Sequence, residues 1–277
     1  MPRFHIEASP ELATGMELTL SEGVSRHVQV LRLQPGDEVH LFDGGGREWR
    51  AAVVEMGRKR VCVRLESPVE NDRELPVAVT LAVCMPANDR MDFVVEKATE
   101  LGVRAIQPLM CERSVLRLDG DRALKKVAHW QAVAVAAAEQ CGRAVVPEIH
   151  PVMTLGAWIK AEADGAARAS RPVCHRAVLS LREAVPLSGW LGELPPVASR
   201  AGVGDPTRGG DSQRHSDERP TQFVFLNGPE GGLAPAEEEA ALRAGWRAVS
   251  LGRRVLRADT APLAALSVIA AHHEGTD

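Results

Sequence analysis

With 277 residues the chain is long enough for about two domains, each able to bury a core of its own. Hydrophobic residues at 45% and charged residues at 25% exclude collagen-like, coiled-coil and wholly disordered chains. A formal charge of −4, five Phe, five Trp and no Tyr argue against a generic polyanion binder or a broad base-stacking platform, so any nucleic-acid contact must come from local basic patches.

Residues 1–67 read mostly as short strands. Ser21 to Leu31 is the one helical stretch, with Ser21 suited to cap it, and Pro35-Gly36-Asp37 marks a turn. Glu38–Asp43 and Arg47–Met56 read as strands of a hairpin around Gly44-Gly45-Gly46; no Lys and helix follow, so this is not a phosphate loop. Val61, Val63 and Leu65 alternate with Cys62, Arg64 and Glu66 at the period of a half-buried strand. Short strands at this spacing predict a small barrel. The polar run 67–76, SPVENDRELP, reads as a linker.

After it the pattern changes. Val77–Met85 is apolar throughout, as in a strand buried on both faces. Met91, Val94, Val95, Ala98 and Leu101 share one face of a helix over Asp89–Gly102. Further strands are expected at Val103–Met110, Val145–Ile149, Val173–Leu181, Gln222–Asn227 and Ala248–Leu251. Helices alternate with them at Asp121–Gln140, Thr154–Ala163, Pro235–Trp246 and Thr260–His272. The alternation implies an α/β domain with a largely parallel sheet covered on both faces. Residues 197–220, with four Gly, two Pro and three Ser, predict a disordered insertion in a loop.

The five cysteines, Cys62, Cys84, Cys111, Cys141 and Cys174, are odd in number and contain no C-x-x-C, which points to reduced thiols in a cytoplasmic protein. The N-terminus has no apolar signal core, and no apolar run is long enough for a membrane span. His272 and His273 lack metal-ligand spacing, so no metal is expected. Five lysines stand against 28 arginines, which fits an arginine-favouring genome or the recognition of phosphate by planar guanidinium forks.

Chemistry concentrates towards the C-terminus. Asn227-Gly228-Pro229-Glu230-Gly231-Gly232 leaves a strand and enters a helix, which puts backbone N–H groups where open α/β sheets bind ligands; a tight turn without a ligand is the alternative. The spacing matches neither a Walker loop nor G-x-G-x-x-G. Leu251 to Thr260, LGRRVLRADT, also joins a strand to a helix; its arginines suit developing negative charge, or solvated surface, and Asp259 and Thr260 suit a helix cap. Glu139-Gln140-Cys141-Gly142-Arg143 ends the long helix, and Glu112-Arg113-Ser114 follows a strand; each is a polar stop or a functional cluster.

Six ordered motifs, PRFH, HVQVLR, EKATELGV, AAEQCGR with VPEI, LNGPEGG and LGRRVLRADT, together resemble the RsmE family of 16S ribosomal RNA uridine-N3 methyltransferases, of the SPOUT class. Asp259 stands where the family commonly has Glu, and LSLREA at Leu179–Ala184 departs from the family's third loop, whose part in cofactor contact stays open. The resemblance implies a PUA-like β-barrel that binds RNA over 1–72 and a SPOUT domain with a trefoil knot over 73–277. It implies S-adenosylmethionine as methyl donor, 16S ribosomal RNA of the small subunit as substrate, and a homodimer. Cofactor contacts are expected from Leu226, Asn227, Gly228, Glu230, Gly231, Leu251, Gly252, Val255, Leu256 and Thr260. Arg143, Arg113 and Arg257 become candidates to stabilise a uracil anion, and Glu139 a candidate proton acceptor, since arginine stays protonated. Arg3, Arg26 and Arg32 are expected to hold RNA. Residues 1–67 carry nine Lys and Arg against ten Asp and Glu, so such contacts must be few and positioned. Two other classes fit the fold: a non-catalytic RNA-binding protein, disfavoured by the intact Gly loop, and a dinucleotide enzyme, disfavoured by the missing fingerprint near the first strand.

Overall fold

The computed structural model describes residues 1–7, 12–58, 60–87, 89–166, 173–196 and 220–274. The insertion expected at 197–220 lies outside the described residues, Pro220 excepted. Contacts divide the chain into one unit of 1–74 with 131–147 and another of 75–130 with 148–277.

The first unit is a five-stranded sheet with one helix. Its strands are β1 (Arg3–His5), β2 (Glu17–Thr19), β3 (Glu38–Phe42), β4 (Glu48–Met56) and β5 (Val61–Val69), in the order β1-β3-β4-β5-β2, with α1 (Glu22–Val30) between β2 and β3. Only β1 and β3 run parallel. The alternation in β5 is realised: Val61, Val63 and Leu65 are fully buried while Arg64 and Glu66 are exposed. They close a core with Phe4, Val28, Val39, Leu41, Ala51 and Val53. Ser21 caps α1 through its hydroxyl, which accepts the Val24 N–H at 3.4 Å. The triple-glycine turn is organised by Asp43, which accepts the Gly45 N–H at 2.8 Å and the Arg47 Nε at 2.7 Å. Gly44 and Gly46 sit there at φ 71° and 107°, a region that favours glycine. One expectation shifts: β5 runs on to Val69, into the stretch expected as linker, and β1 and β2, three residues each, are too short to show a period.

The second unit is a parallel sheet with helices. In chain order it contains β6 (Ala78–Cys84), α2 (Arg90–Glu100), β7 (Ala105–Met110), the first half of α3 (Gly120–Cys141), β8 (Glu148–Ile149), β9 (Met153–Thr154) and α4 (Leu155–Ala166). Then come β10 (Cys174–Leu179), β11 (Val185–Pro186), α5 (Leu187–Glu193), β12 (Gln222–Asn227), α6 (Pro235–Arg243), β13 (Arg247–Ser250) and α7 (Thr260–Glu274). The sheet order is β11-β13-β10-β12-β6-β7-β8, with β9 beside β7, and every pair is parallel. From β12 the chain passes beyond β10 to β13, and α7 returns to pack on α2, β12 and β6. Burial on both faces explains the apolar run at β6, where Leu81, Ala82, Val83 and Cys84 are all fully buried.

Residues 131–147 join the first unit, which a single cut between 72 and 73 does not anticipate. The physical reason is a polar anchor: the Arg3 guanidinium donates to the carbonyls of Ala138 (2.9 Å), Glu139 (3.4 Å) and Arg143 (3.2 Å). Val145, expected in a strand, makes only isolated bridges to Gly44 and Gly45. All five cysteines are free, with Cys84 and Cys111 buried. Among the described residues no helix is long and apolar enough to cross a membrane.

Candidate functional site

Three loops leave the carboxyl ends of adjacent parallel strands in the second unit: 180–184 after β10, 228–234 after β12 and 251–259 after β13. Between them lies a cavity of about 660 Å³, a size suited to a ligand of cofactor dimensions. Leu179, Leu256 and Ala258 line it beside the glycine loop, together with Arg90, Arg113, Arg182, Arg254 and Arg257.

The glycine loop folds back tightly on itself. A Cβ on Gly228 would stand 2.7 Å from the Leu233 nitrogen and 2.8 Å from the Gly232 carbonyl carbon, so no larger residue fits. Asn227, 2% exposed, ends β12 and ties two loops: its Nδ2 donates to the Gly228 and Ala258 carbonyls, each at 3.1 Å. Its Oδ1 is buried with no hydrogen-bond partner. Arg113 donates to the Gly231 carbonyl at 2.8 Å and the Leu233 carbonyl at 3.4 Å. Glu237, in the first turn of α6, accepts the Ala234 N–H at 3.0 Å and the Glu112 N–H at 2.8 Å, so the start of α6 is held to the segment after β7. Ser180 donates to Glu238 on the cavity wall. Arg182, Arg254 and Arg257 make no side-chain hydrogen bond or ion pair among the described residues, and all three are exposed.

The sequence matches known proteins along almost its whole length. The family described as the RNA methyltransferase domain matches residues 73–270, and the RNA methyltransferase PUA domain matches 20–66. The ribosomal RNA small subunit methyltransferase E of Bacillus subtilis is 32% identical over 97% of this chain and 96% of its own. That of Synechocystis is 30% identical over 96% of this chain and 77% of its own. The chain belongs to the ribosomal RNA small subunit methyltransferase E family. A crystal structure of the Neisseria gonorrhoeae member, bound to S-adenosyl methionine, shares the fold with a TM-score of 0.78 at 32% identity, covering 98% of both chains.

Of the residues expected to contact a cofactor, the cavity is lined by Asn227, Gly228, Glu230, Gly231, Leu251, Val255 and Leu256. Leu226 is fully buried within β12, and Gly252 and Thr260 stand outside the lining. Thr260 opens α7, where its N–H donates to the Arg257 carbonyl at 3.0 Å. Gly252 is needed for its φ of 107°. Glu230 turns its carboxylate to the Ala87 N–H (3.1 Å) and to Arg90. Arg113 and Arg257, two of the candidate catalytic residues, line the cavity.

Arg143 and Glu139 belong to the first unit, and the structure gives them other work. The Arg143 side chain is 3% exposed and its Nη2 lies 2.5 Å from Glu74 Oε2, so its charge is neutralised inside the unit. Glu139 Oε1 accepts the His5 N–H at 2.9 Å. Arg3, expected at RNA, is 11% exposed and forks onto Glu48 at 2.8 and 3.1 Å, with Phe42 under the guanidinium at 4.7 Å. The charges of Arg143 and Arg3 are thus met by carboxylates inside the unit, while Glu139 is half-buried with one oxygen engaged; a charge in a β-rich segment or at a helix end looks the same in sequence whether it faces solvent or a buried partner. Burial would raise the Glu48 carboxyl, but hydrogen bonds from Arg3, His40 and Asn71 outweigh it and hold the pKa down at about 2. Arg26 and Arg32 remain on the surface, Arg26 within 3.8 Å of Glu22.

Sequence reasoning missed Arg90 and Glu238 in the cavity wall, and left open the segment Leu179–Ala184, from which Ser180 and Arg182 line it. Arg90 lay in a stretch read only for its apolar helix face. The third loop departs from the family pattern, yet Leu179 to Arg182 line the cavity.

Proposed function

We propose that this protein is an S-adenosylmethionine-dependent methyltransferase that methylates N3 of a uridine in 16S ribosomal RNA, acting as a cytoplasmic homodimer on the small ribosomal subunit. The observation that carries the reading is the glycine-walled cavity at the carboxyl ends of β10, β12 and β13, in a chain of this family. The residues fit the cofactor. The volume suits it, Gly228 lets the loop that walls the cavity fold back on its own backbone, and the unpartnered Asn227 Oδ1 offers an acceptor to an amine donor.

When bound, S-adenosylmethionine supplies an electrophilic methyl group on a sulfonium. The remaining work falls to the chain. Uracil N3 carries a proton and becomes a nucleophile only once solvent water has accepted that proton; the N3–methyl bond would then form at the expense of the sulfur–methyl bond. Cationic donors that face the developing N3 and carbonyl-oxygen charge lower the cost of deprotonation. Arg257 and Arg254, exposed and unpaired, are suited to this, and Arg113 holds the glycine loop in shape while lining the same space. Arg26 and Arg32 in the first unit would contact RNA phosphates at a few fixed points.

The test is methyl transfer from labelled cofactor to unmodified small subunits, with the modified nucleoside identified. Labelled N3-methyluridine at one position supports the reading. Absence of S-adenosylmethionine binding by calorimetry would leave a non-catalytic RNA-binding protein, and label on another base atom would overturn the uridine-N3 assignment.

A further inference from the structure

Resting on that cofactor reading, we propose that Arg90 is a positioning residue that locks together the two loops shaping the cavity. Arg90 opens α2 and belongs to neither loop. Its Nη1 lies 3.5 Å from Glu230 Oε1, in the loop after β12, and its Nε lies 3.8 Å from Asp259 Oδ2, in the loop after β13. The same Glu230 oxygen accepts the Ala87 N–H at 3.1 Å, so the carboxylate is fixed to the segment preceding α2. The three side chains are 34%, 36% and 15% exposed, which shields the pairs partly from water.

A guanidinium has two donor edges in one rigid plane, so it serves both carboxylates at once; an ammonium is a single point charge. Asn227 joins the same two loops through their carbonyls, and Arg90 adds an electrostatic tie between them through Glu230 and Asp259. Loops held in the binding geometry need not be ordered by the ligand, and loss of that order appears as loss of affinity. Glu230 then acts on the cofactor through Arg90 rather than as a ligand-binding group itself.

The experiment compares wild type, Arg90→Ala, Arg90→Lys and Glu230→Gln by hydrogen exchange without cofactor and by calorimetry with S-adenosylmethionine. In the cofactor-free protein, Arg90→Ala should speed amide exchange in both 228–234 and 251–259 while the melting temperature holds. Affinity should fall about fivefold, the size expected for two partly exposed pairs. Arg90→Lys should recover part of the loss, and Arg90→Ala should add little in a Glu230→Gln background. Exchange that rises in only one loop, or wild-type affinity in Arg90→Ala, would overturn the proposal. Failure of the wild type to bind S-adenosylmethionine would sink the cofactor reading instead, while the exchange comparison would still decide whether Arg90 ties the loops.

Discussion

Arg32 follows α1 at φ 57°, with its N–H on the Gln29 carbonyl (2.9 Å) and the Leu33 N–H on the Val28 carbonyl (3.3 Å). This is a helix stop that favours glycine, and an L-residue there costs about 1 kcal/mol. An exposed arginine kept in a strained position points to a contact outside the fold. Arg32→Gly should therefore raise stability to urea by about 1 kcal/mol and weaken RNA binding, with the salt slope of binding smaller by about one. A stabilised variant with unchanged RNA affinity would remove Arg32 from the RNA surface. Arg143 makes the opposite case. Arg143→Ala would leave Glu74 unpaired beside a buried helix end and should lower stability by about 2–3 kcal/mol. The folded variant should methylate at close to the wild-type single-turnover rate; a stable variant slowed about a hundredfold would return Arg143 to the chemistry.

At the scale of elements, the glycine loop depends on its glycines unequally. A Cβ on Gly228 collides with backbone at 2.7 Å, and backbone cannot step aside as a side-chain end can. A Cβ on Gly231 meets only Arg113 side-chain atoms from 3.4 Å outward, an ordinary contact. Gly228→Ala should thus open the loop and weaken S-adenosylmethionine binding by at least about tenfold, or 1.4 kcal/mol, whereas Gly231→Ala should change it by less than about twofold. Calorimetry on the two variants checks the order; equal effects would show that the loop is not held by its own close approach.

Across the molecule, acid should act first on the first unit. Glu48 has a pKa of about 2 in the fold against an ordinary 4.5, so the pair with Arg3 contributes its full stability above about pH 4.5. As pH falls from 4.5 towards 2 the unfolded chain takes up a proton that the folded chain does not, and that stability is lost, about 3 kcal/mol in all. Urea unfolding followed by the fluorescence of Trp49, in the same unit, should show this slope in wild type and lose most of it in Glu48→Gln. An unchanged slope would place the acid sensitivity elsewhere.

What is local and periodic could be read from the residues alone. The apolar β6, the amphipathic α2 and the alternating β5 were legible because burial repeats along the chain at a period the residues must obey. The glycine loops and the family were legible because motif order survives without coordinates. Which charges meet depends on the folded chain. Arg3 and Glu48 are 45 residues apart, Arg143 and Glu74 69, and Arg90 and Glu230 140. Ion pairs carry no sequence period, so an arginine bound for a carboxylate far along the chain reads the same as one bound for RNA. The return of 131–147 to the first unit and the closing of the cavity by 179–182 follow from such long-range contacts, which is why they emerged only from the fold.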